Sequence, residues 1–541
     1  MGRRGRGGVL GEIEFLIVLL GAVVLLAQLA RLSGVPYPIA LVLGGLAIGF
    51  VSTIVPGVPE VELAPEVIFL VFLPPLLNSA AFLSSPRDLR VHLRPIAQLA
   101  LGLVLVTTLA VAVLAHYLFG LPWAAAFVLG AILAPTDPVA AEGIFRRLGV
   151  PERVSTVVSG ESLVNDGSAL VAYRVAVVAA TAGGFSLWEA GLEFLLTGGG
   201  GLVLGLVLAR LLLPLWARLR EPSILITTSL LLPYAVYVVA EELHVSGILA
   251  VVSYGLYQGW RAPRLFSAAS TRLQSASFWS TTVFILESLL FVLVGLQFPV
   301  VLRGLDGTTV PEALLYAALV FGVVVGARLI WFFTVPYLHP VLDRVFRRSY
   351  PRGSWQERLV MSWSGMRGAV SLAAALAIPL TVEGGAAFPG RNLIVFLTFA
   401  VILATLVLQG LTLPLLIRSL RIKADDASAT ITELKARLVG AHAALARLED
   451  LCTNEPVPPG SQEQMREYYE GRIRRYTAGV EAGGATAEYA QSAAYWRRWR
   501  MELFEAEREA VISMRDRGEI SPEIMRRVER DLDLEEARFA G

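Results

Sequence analysis

The chain has 541 residues, of which 55% are hydrophobic and 17% charged, and its mean hydropathy is +0.63. Soluble domains carry about 25% charged residues, so most of this chain is not built for water. A net charge of +1 gives no case for nucleic-acid binding, and the single cysteine, Cys452, excludes an intramolecular disulfide framework. The charges gather at one end, since residues 421–541 hold 19 of the 46 Lys/Arg and 23 of the 45 Asp/Glu. These figures predict a transmembrane domain over 13–420. A short extracytoplasmic end (1–12) precedes it and a charged helical cytoplasmic domain (421–541) follows. Arg3, Arg4 and Arg6 precede a first segment long enough to span, so no cleavable signal peptide is expected.

A membrane-spanning helix needs roughly 20 apolar residues. Such runs occur at about 13–32, 36–54, 64–83, 95–119, 122–145, 155–181, 189–217, 222–242, 245–260, 274–298, 311–339, 355–380 and 391–418, which makes thirteen, the ninth being the shortest. Lys and Arg mark cytoplasmic connections. The odd-numbered connections carry 17 basic residues and the even-numbered ones only Arg303 and Arg391. The N-terminus is therefore expected outside and the tail inside, although Arg3, Arg4 and Arg6 count the other way.

Two of these spans do not read as continuous helices. In the fifth, Pro135 and Pro138 flank Thr136-Asp137; each proline lacks an N–H and frees a carbonyl four residues back. In the twelfth, Arg367 stands between Gly365-Met366 and Gly368. Irregular backbone at membrane depth is tolerated only where it faces protein or a water-filled cavity. Paired interruptions in corresponding positions of two halves, here spans 4–6 and 11–13, are the mark of a transporter site built on inverted repeats.

The chemistry concentrates between Gly130 and Gly167, where Asp137, Glu161 and Asp166 stand in apolar surroundings. Intramembrane carboxylates are expensive and are functional candidates by default. Glu161 and Asn165, and Ser162 and Asp166, are each four residues apart on one helical face. Asp166 is the leading ion-binding carboxylate: in a dehydrated site it holds either a proton or a small cation, and that competition is the basis of exchange. Ser162 and Thr136 would supply the oxygen ligands that hard cations prefer. Asp137, at the helix break, either binds the ion or fixes the crossing of the broken helix. Arg367 needs a partner, and Glu161 is the expected one, as a structural pair. Asn165, beside Asp166, leaves one titratable group where a second could stand, so exchange of one monovalent cation for one proton is expected to be electroneutral. Glu287 in the tenth span lines the ion path or forms a subunit contact. Arg328 lies near a helix end or pairs internally.

Together, FLPPLL (72–77), APTDPVA (134–140), GESLVNDG (160–167), LLFVLVGLQ (289–297) and SWSGMRGAVSLAAALAIP (362–379) resemble the bacterial sodium/proton antiporters of the monovalent cation:proton antiporter-1 family, relatives of the eukaryotic sodium/hydrogen exchangers. The resemblance covers roughly residues 10–420. It implies a thirteen-helix inverted-repeat fold in the cytoplasmic membrane, a homodimer, and a core domain that moves against a dimerisation domain. It implies ion binding at Asp166, helped by Thr136, Asp137 and Ser162, with Asn165 marking the electroneutral branch and Glu161–Arg367 a structural pair. One departure stands out. Family members often carry an acidic residue in the third span, where this chain has Ser79, which can give oxygen but not charge.

In the tail, 431–451 shows apolar residues at helical spacing, Pro456, Pro458, Pro459 and Gly460 break it, and two or three further helices follow, one starting at Ser521-Pro522-Glu523. It is either a solvated helical appendage or a cytoplasmic regulator. The function expected overall is secondary antiport of Na⁺ (or Li⁺ or K⁺) against H⁺ for pH and sodium homeostasis, with the transported ions as substrates and no cofactor. A K⁺/H⁺ antiporter is the alternative within that class. A cation channel fits interrupted helices and a proton-binding carboxylate less well. An intramembrane aspartyl protease would place a Gly-x-Gly-Asp element and a Tyr-Asp pair where this chain has Leu-Val-Asn-Asp and Pro-Thr-Asp-Pro, so no enzymatic activity is expected.

Overall fold

The computed structural model describes residues 5–54, 65–182, 187–219, 221–265, 269–305, 308–346, 353–382, 385–422, 426–454, 460–482 and 487–540. Each apolar stretch found in the sequence is helical. Among the described residues the only extended pairing is one bridge between Thr381 and Ala387. The chain divides into two units, Met1–Ile422 and Lys423–Gly541.

The first unit opens with α1 (Gly5–Ser33), α2 (Tyr37–Ile54), α3 (Ile68–Leu83) and α4 (Leu93–Phe119). In α3, Pro75 has no N–H to give Val71, and the helix widens into a π turn over Ile68–Phe72. The freed Val71 carbonyl accepts instead from the Tyr234 hydroxyl at 2.9 Å. The fifth apolar stretch is two helices, α5 (Trp123–Leu133) and α6 (Val139–Leu148), as its prolines require. Then come α7 (Glu152–Ala182), α8 (Leu187–Trp216), α9 (Pro222–Glu242), α10 (Gly247–Leu265), α11 (Ala269–Leu296) and α12 (Val310–Phe346). The twelfth stretch is likewise split, into α13 (Trp355–Trp363) and α14 (Ala369–Leu376), before α15 (Arg391–Ser419).

Among the described residues, seven helices are long and apolar enough to cross a membrane alone, and α1, α2, α3 and α5 add shorter apolar segments. Burial sorts them. In α15, 67% of the apolar window is enclosed by protein, against 22% in α8, whose Leu195, Val203 and Leu211 point outward. The first is therefore an interior helix and the second a lipid-facing one. With no hydrophobic drive between helices in lipid, close packing depends on small residues. A Cβ on Gly45 of α2 would lie 2.2 Å from the Val292 carbonyl oxygen of α11, and one on Gly295 2.2 Å from that of Val42, so this crossing exists only because both are glycine.

The two broken segments cross at their breaks. The Asp137 amide donates to the Met366 carbonyl at 2.7 Å, and the Arg367 amide to Thr405 Oγ1 on α15 at 3.1 Å. A Cβ on Gly368 would fall 2.0 Å from Asp137 Oδ2, which is why no larger residue stands there.

In the second unit, α16 (Asp426–Asn454) packs on α17 (Ser461–Glu481). Arg508 of α18 (Ala487–Asp516) pairs with Asp533 and Glu536 of α19 (Pro522–Ala540), both at 2.7 Å. The Ser521 hydroxyl accepts from the Ile524 amide as the expected N-cap of α19. Pro456, Pro458 and Pro459 lie outside the described residues.

Candidate functional site

The half-helices α5 and α6 leave residues 134–138 without regular backbone bonds, and this gap is the centre of the site. Asp137 turns back on the chain: its Oδ1 accepts from the Val139 amide at 2.9 Å, a local turn that leads into α6. One carboxylate oxygen of Asp137 is thus spent on its own turn and its backbone amide on the crossing.

Thr136 is the hub. Its hydroxyl donates to Glu161 Oε1 at 3.2 Å, accepts from Asn165 Nδ2 at 2.9 Å, and stands 3.4 Å from Ser162 Oγ. Glu161, Ser162 and Asn165 all come from one turn of α7, so a single long helix presents three polar groups to the break. Asn165 Oδ1 receives no bond from any group among the described residues.

Glu161 is paired with Arg328 of α12, not with Arg367. Both Arg328 terminal nitrogens reach the carboxylate, Nη1 to Oε1 and Nη2 to Oε2 at 2.8 Å, and its Nε and Nη2 also donate to the Met361 carbonyl. This corrects the expected Glu161–Arg367 pair. Arg367 instead donates to backbone, to the Leu133 carbonyl at 3.1 Å and to that of Gly365. The reason is physical: helix breaks expose carbonyls, and a guanidinium's five donors satisfy them. Arg328 is therefore the group that neutralises Glu161.

A cavity of about 430 Å³ reaches this point. Asp166, Asp137, Thr136, Ser162, Gly368 and Glu287 are among its walls, whereas Glu161, Asn165 and Arg367 lie behind them. On α7 its lining runs through Glu152, Ser155, Ser159 and Ser162 and ends at Asp166. Asp166 is buried, and among the described residues no group donates a hydrogen bond to it. Of the other carboxylates in the cavity wall, Asp137, Glu287 and Glu142 are engaged, while Asp88 and Glu152 are not buried. Glu287 accepts from the Tyr37 hydroxyl at 2.6 Å, and Glu142 from Ser159.

A second, wider cavity of about 940 Å³ shares Glu142, Arg146 and Glu287 with the first, and Ser79 lines it rather than the chamber of Asp166. Glu142, Ser159 and Tyr37 were missed from sequence. The serines and Asp166 of α7 nevertheless carried a signal, because 155, 159, 162 and 166 step by four, three and four along one helical face.

The chain is similar to known proteins over most of its length. The profile described as sodium/hydrogen exchanger, transmembrane, matches residues 16–419. The chain belongs to the sodium/hydrogen exchanger family. It is 36% identical over 544 residues to a protein of Mycobacterium tuberculosis named as an uncharacterised Na⁺/H⁺ exchanger, covering 99% of this chain and 98% of the other. It is 32% identical over 496 residues to the sodium, potassium, lithium and rubidium/H⁺ antiporter of Bacillus subtilis, covering 88% and 71%. Among solved structures, the sodium proton antiporter of Methanocaldococcus jannaschii at pH 8 superposes with a TM-score of 0.60 at 23% identity, covering 76% of this chain and 99% of that one. The broken-helix fold is thus that of a multi-pass sodium/hydrogen exchanger, and the transport class is cation/proton antiport.

Proposed function

We propose that the protein exchanges Na⁺ for H⁺, one for one, at Asp166. The observation that carries this is the contrast within the cavity. Asp137, Glu142 and Glu287 in its wall, and Glu161 behind it, are engaged by protein groups, and Asp166, where the α7 lining ends, is the buried carboxylate left to a proton or a cation. Ser162 and Thr136 would complete the oxygen set around a monovalent cation, Asp137 would hold the break in place, and Asn165 would orient Thr136. Because one carboxylate carries either ion, a full cycle moves no net charge. Glu161 and Arg328 act as a structural pair, and Glu287 stands on the approach. Ser79 belongs to the wider cavity, where it supplies oxygen without charge.

The working assembly in this reading is a homodimer in the cytoplasmic membrane, with the basic connections and the tail on the cytoplasmic side and the N-terminus outside. Its role would be pH and sodium homeostasis, with the ions as substrates. Potassium as the cation is the second reading, supported by the name of the Bacillus subtilis relative.

The test is dissipation of a preset ΔpH in proteoliposomes on adding Na⁺, Li⁺ or K⁺, with the voltage free or clamped. Wild type should respond equally under both conditions and Asp166→Asn should not respond. Exchange at the wild-type rate in Asp166→Asn would move the site to Asp137 or Glu287.

A further inference from the structure

The cavity reaches Asp166 from the N-terminal half of α7 only, so something must close the other half. Two layers do. A Cβ on Gly167 would lie 2.4 Å from Leu249 Cδ2 of α10, and one on Gly198 of α8 3.6 Å from Leu249 Cδ1, so this leucine is wedged directly beyond the ion site. Eight residues past Asp166, about 12 Å along the helix, Arg174 Nη2 lies 2.8 and 2.6 Å from the two oxygens of Glu241 at the end of α9. Glu241 Oε1 also accepts from the Gly247 amide at 3.2 Å, so the carboxylate is fixed to the turn between α9 and α10 before it meets the arginine. The Ser246 amide ties the same turn to the Thr197 carbonyl of α8 at 3.0 Å.

We propose that Arg174 and Glu241 form a latch that keeps the far end of the ion path shut. The pair holds α7, the helix that carries Asp166, against the α9–α10 turn while the site faces the cavity. It must part when the site faces the other way. The inference rests on the exchange at Asp166 proposed above and takes it to run by alternating access, because an ion released at the far end has to pass Leu249 and this contact. Both side chains are partly exposed, 42% and 32%. An ion pair so placed is weak enough to break in every cycle and strong enough to bias the equilibrium.

The experiment uses full-length protein in proteoliposomes with Cys452→Ser and a reporter, Leu249→Cys, labelled by a membrane-impermeant maleimide in vesicles of both orientations. Arg174→Gln and Glu241→Gln, the second of which keeps an oxygen for Gly247, should label roughly two- to fivefold faster than the parent, the range that an exposed ion pair allows. The swapped pair Arg174→Glu with Glu241→Arg should return labelling to the parent rate. Parent-rate labelling in the single variants, with exchange intact, would overturn the latch. If the single variants do not insert, fast labelling of the swapped pair would overturn it equally. Absence of ion exchange in the wild-type protein would instead count against the exchange function itself.

Discussion

Glu161 and Arg328 are 167 residues apart, yet they meet two-on-two, their side chains 2% and 1% exposed. The pair bridges α7 to α12 and, through Thr136, to the break between α5 and α6. Truncating one partner leaves a bare charge in a low-dielectric interior, which costs about 3–5 kcal/mol. Glu161→Ala and Arg328→Ala should therefore each lower the yield of folded protein and the melting temperature in detergent. Arg328→Lys keeps the charge but loses the two-pronged contact, so it should fall between the alanine variant and wild type. Wild-type melting in Arg328→Ala would remove the pair from the structural role.

Gly368 is a steric prediction. Its missing Cβ is what lets Asp137 approach within reach of the second break. Gly368→Ala should leave the outer helices in place and separate the two breaks, abolishing exchange at an expression level close to wild type. Fluorescence-detected size exclusion beside the ΔpH assay checks both halves of that statement.

The sequence reached the two broken helices because their signals are local: Pro135 and Pro138 in one, Gly365-Met366-Arg367-Gly368 in the other. It also reached the cavity-facing set of Asp166, Asp137, Thr136 and Ser162, because polar residues at helical spacing in an apolar run have few alternatives. It missed the partner of Glu161. Choosing between Arg328 and Arg367 needs the crossing geometry, and the free carbonyls at Leu133 and Gly365 that occupy Arg367 exist only once both helices are broken. Tyr37 was equally hidden, since its contact with Glu287 spans 250 residues. Pairings across such distances leave no trace in local pattern.

Ser79 and Glu287 make opposite predictions. Ser79 lines only the wider cavity, so Ser79→Ala should leave the cation KM within about twofold of wild type, a surface-like effect. Glu287 lines both, so Glu287→Gln removes a negative charge from the approach and should raise the cation KM several-fold while exchange persists. Salt titration separates the two: the Glu287→Gln deficit should shrink as ionic strength rises and screens the charge.

Thr136 gives the sharpest test of the site's geometry. Its hydroxyl is donor to Glu161 and acceptor from Asn165, and it faces Ser162. Val has nearly the same shape and neither function, so Thr136→Val leaves Asn165 Nδ2 buried without an acceptor and takes one of two donors from Glu161 Oε1, which keeps Arg328. A lost bond to a charged group is worth about 1.5–3 kcal/mol, which predicts a rise of at least about tenfold in the cation KM. Thr136→Ser keeps the hydroxyl and should stay near wild type. The comparison distinguishes an oxygen that organises the ion site from a methyl that merely fills space. If Val and Ser behave alike, the hydroxyl has no part in binding, and the ion's ligands must come from Asp166, Ser162 and the backbone of the break.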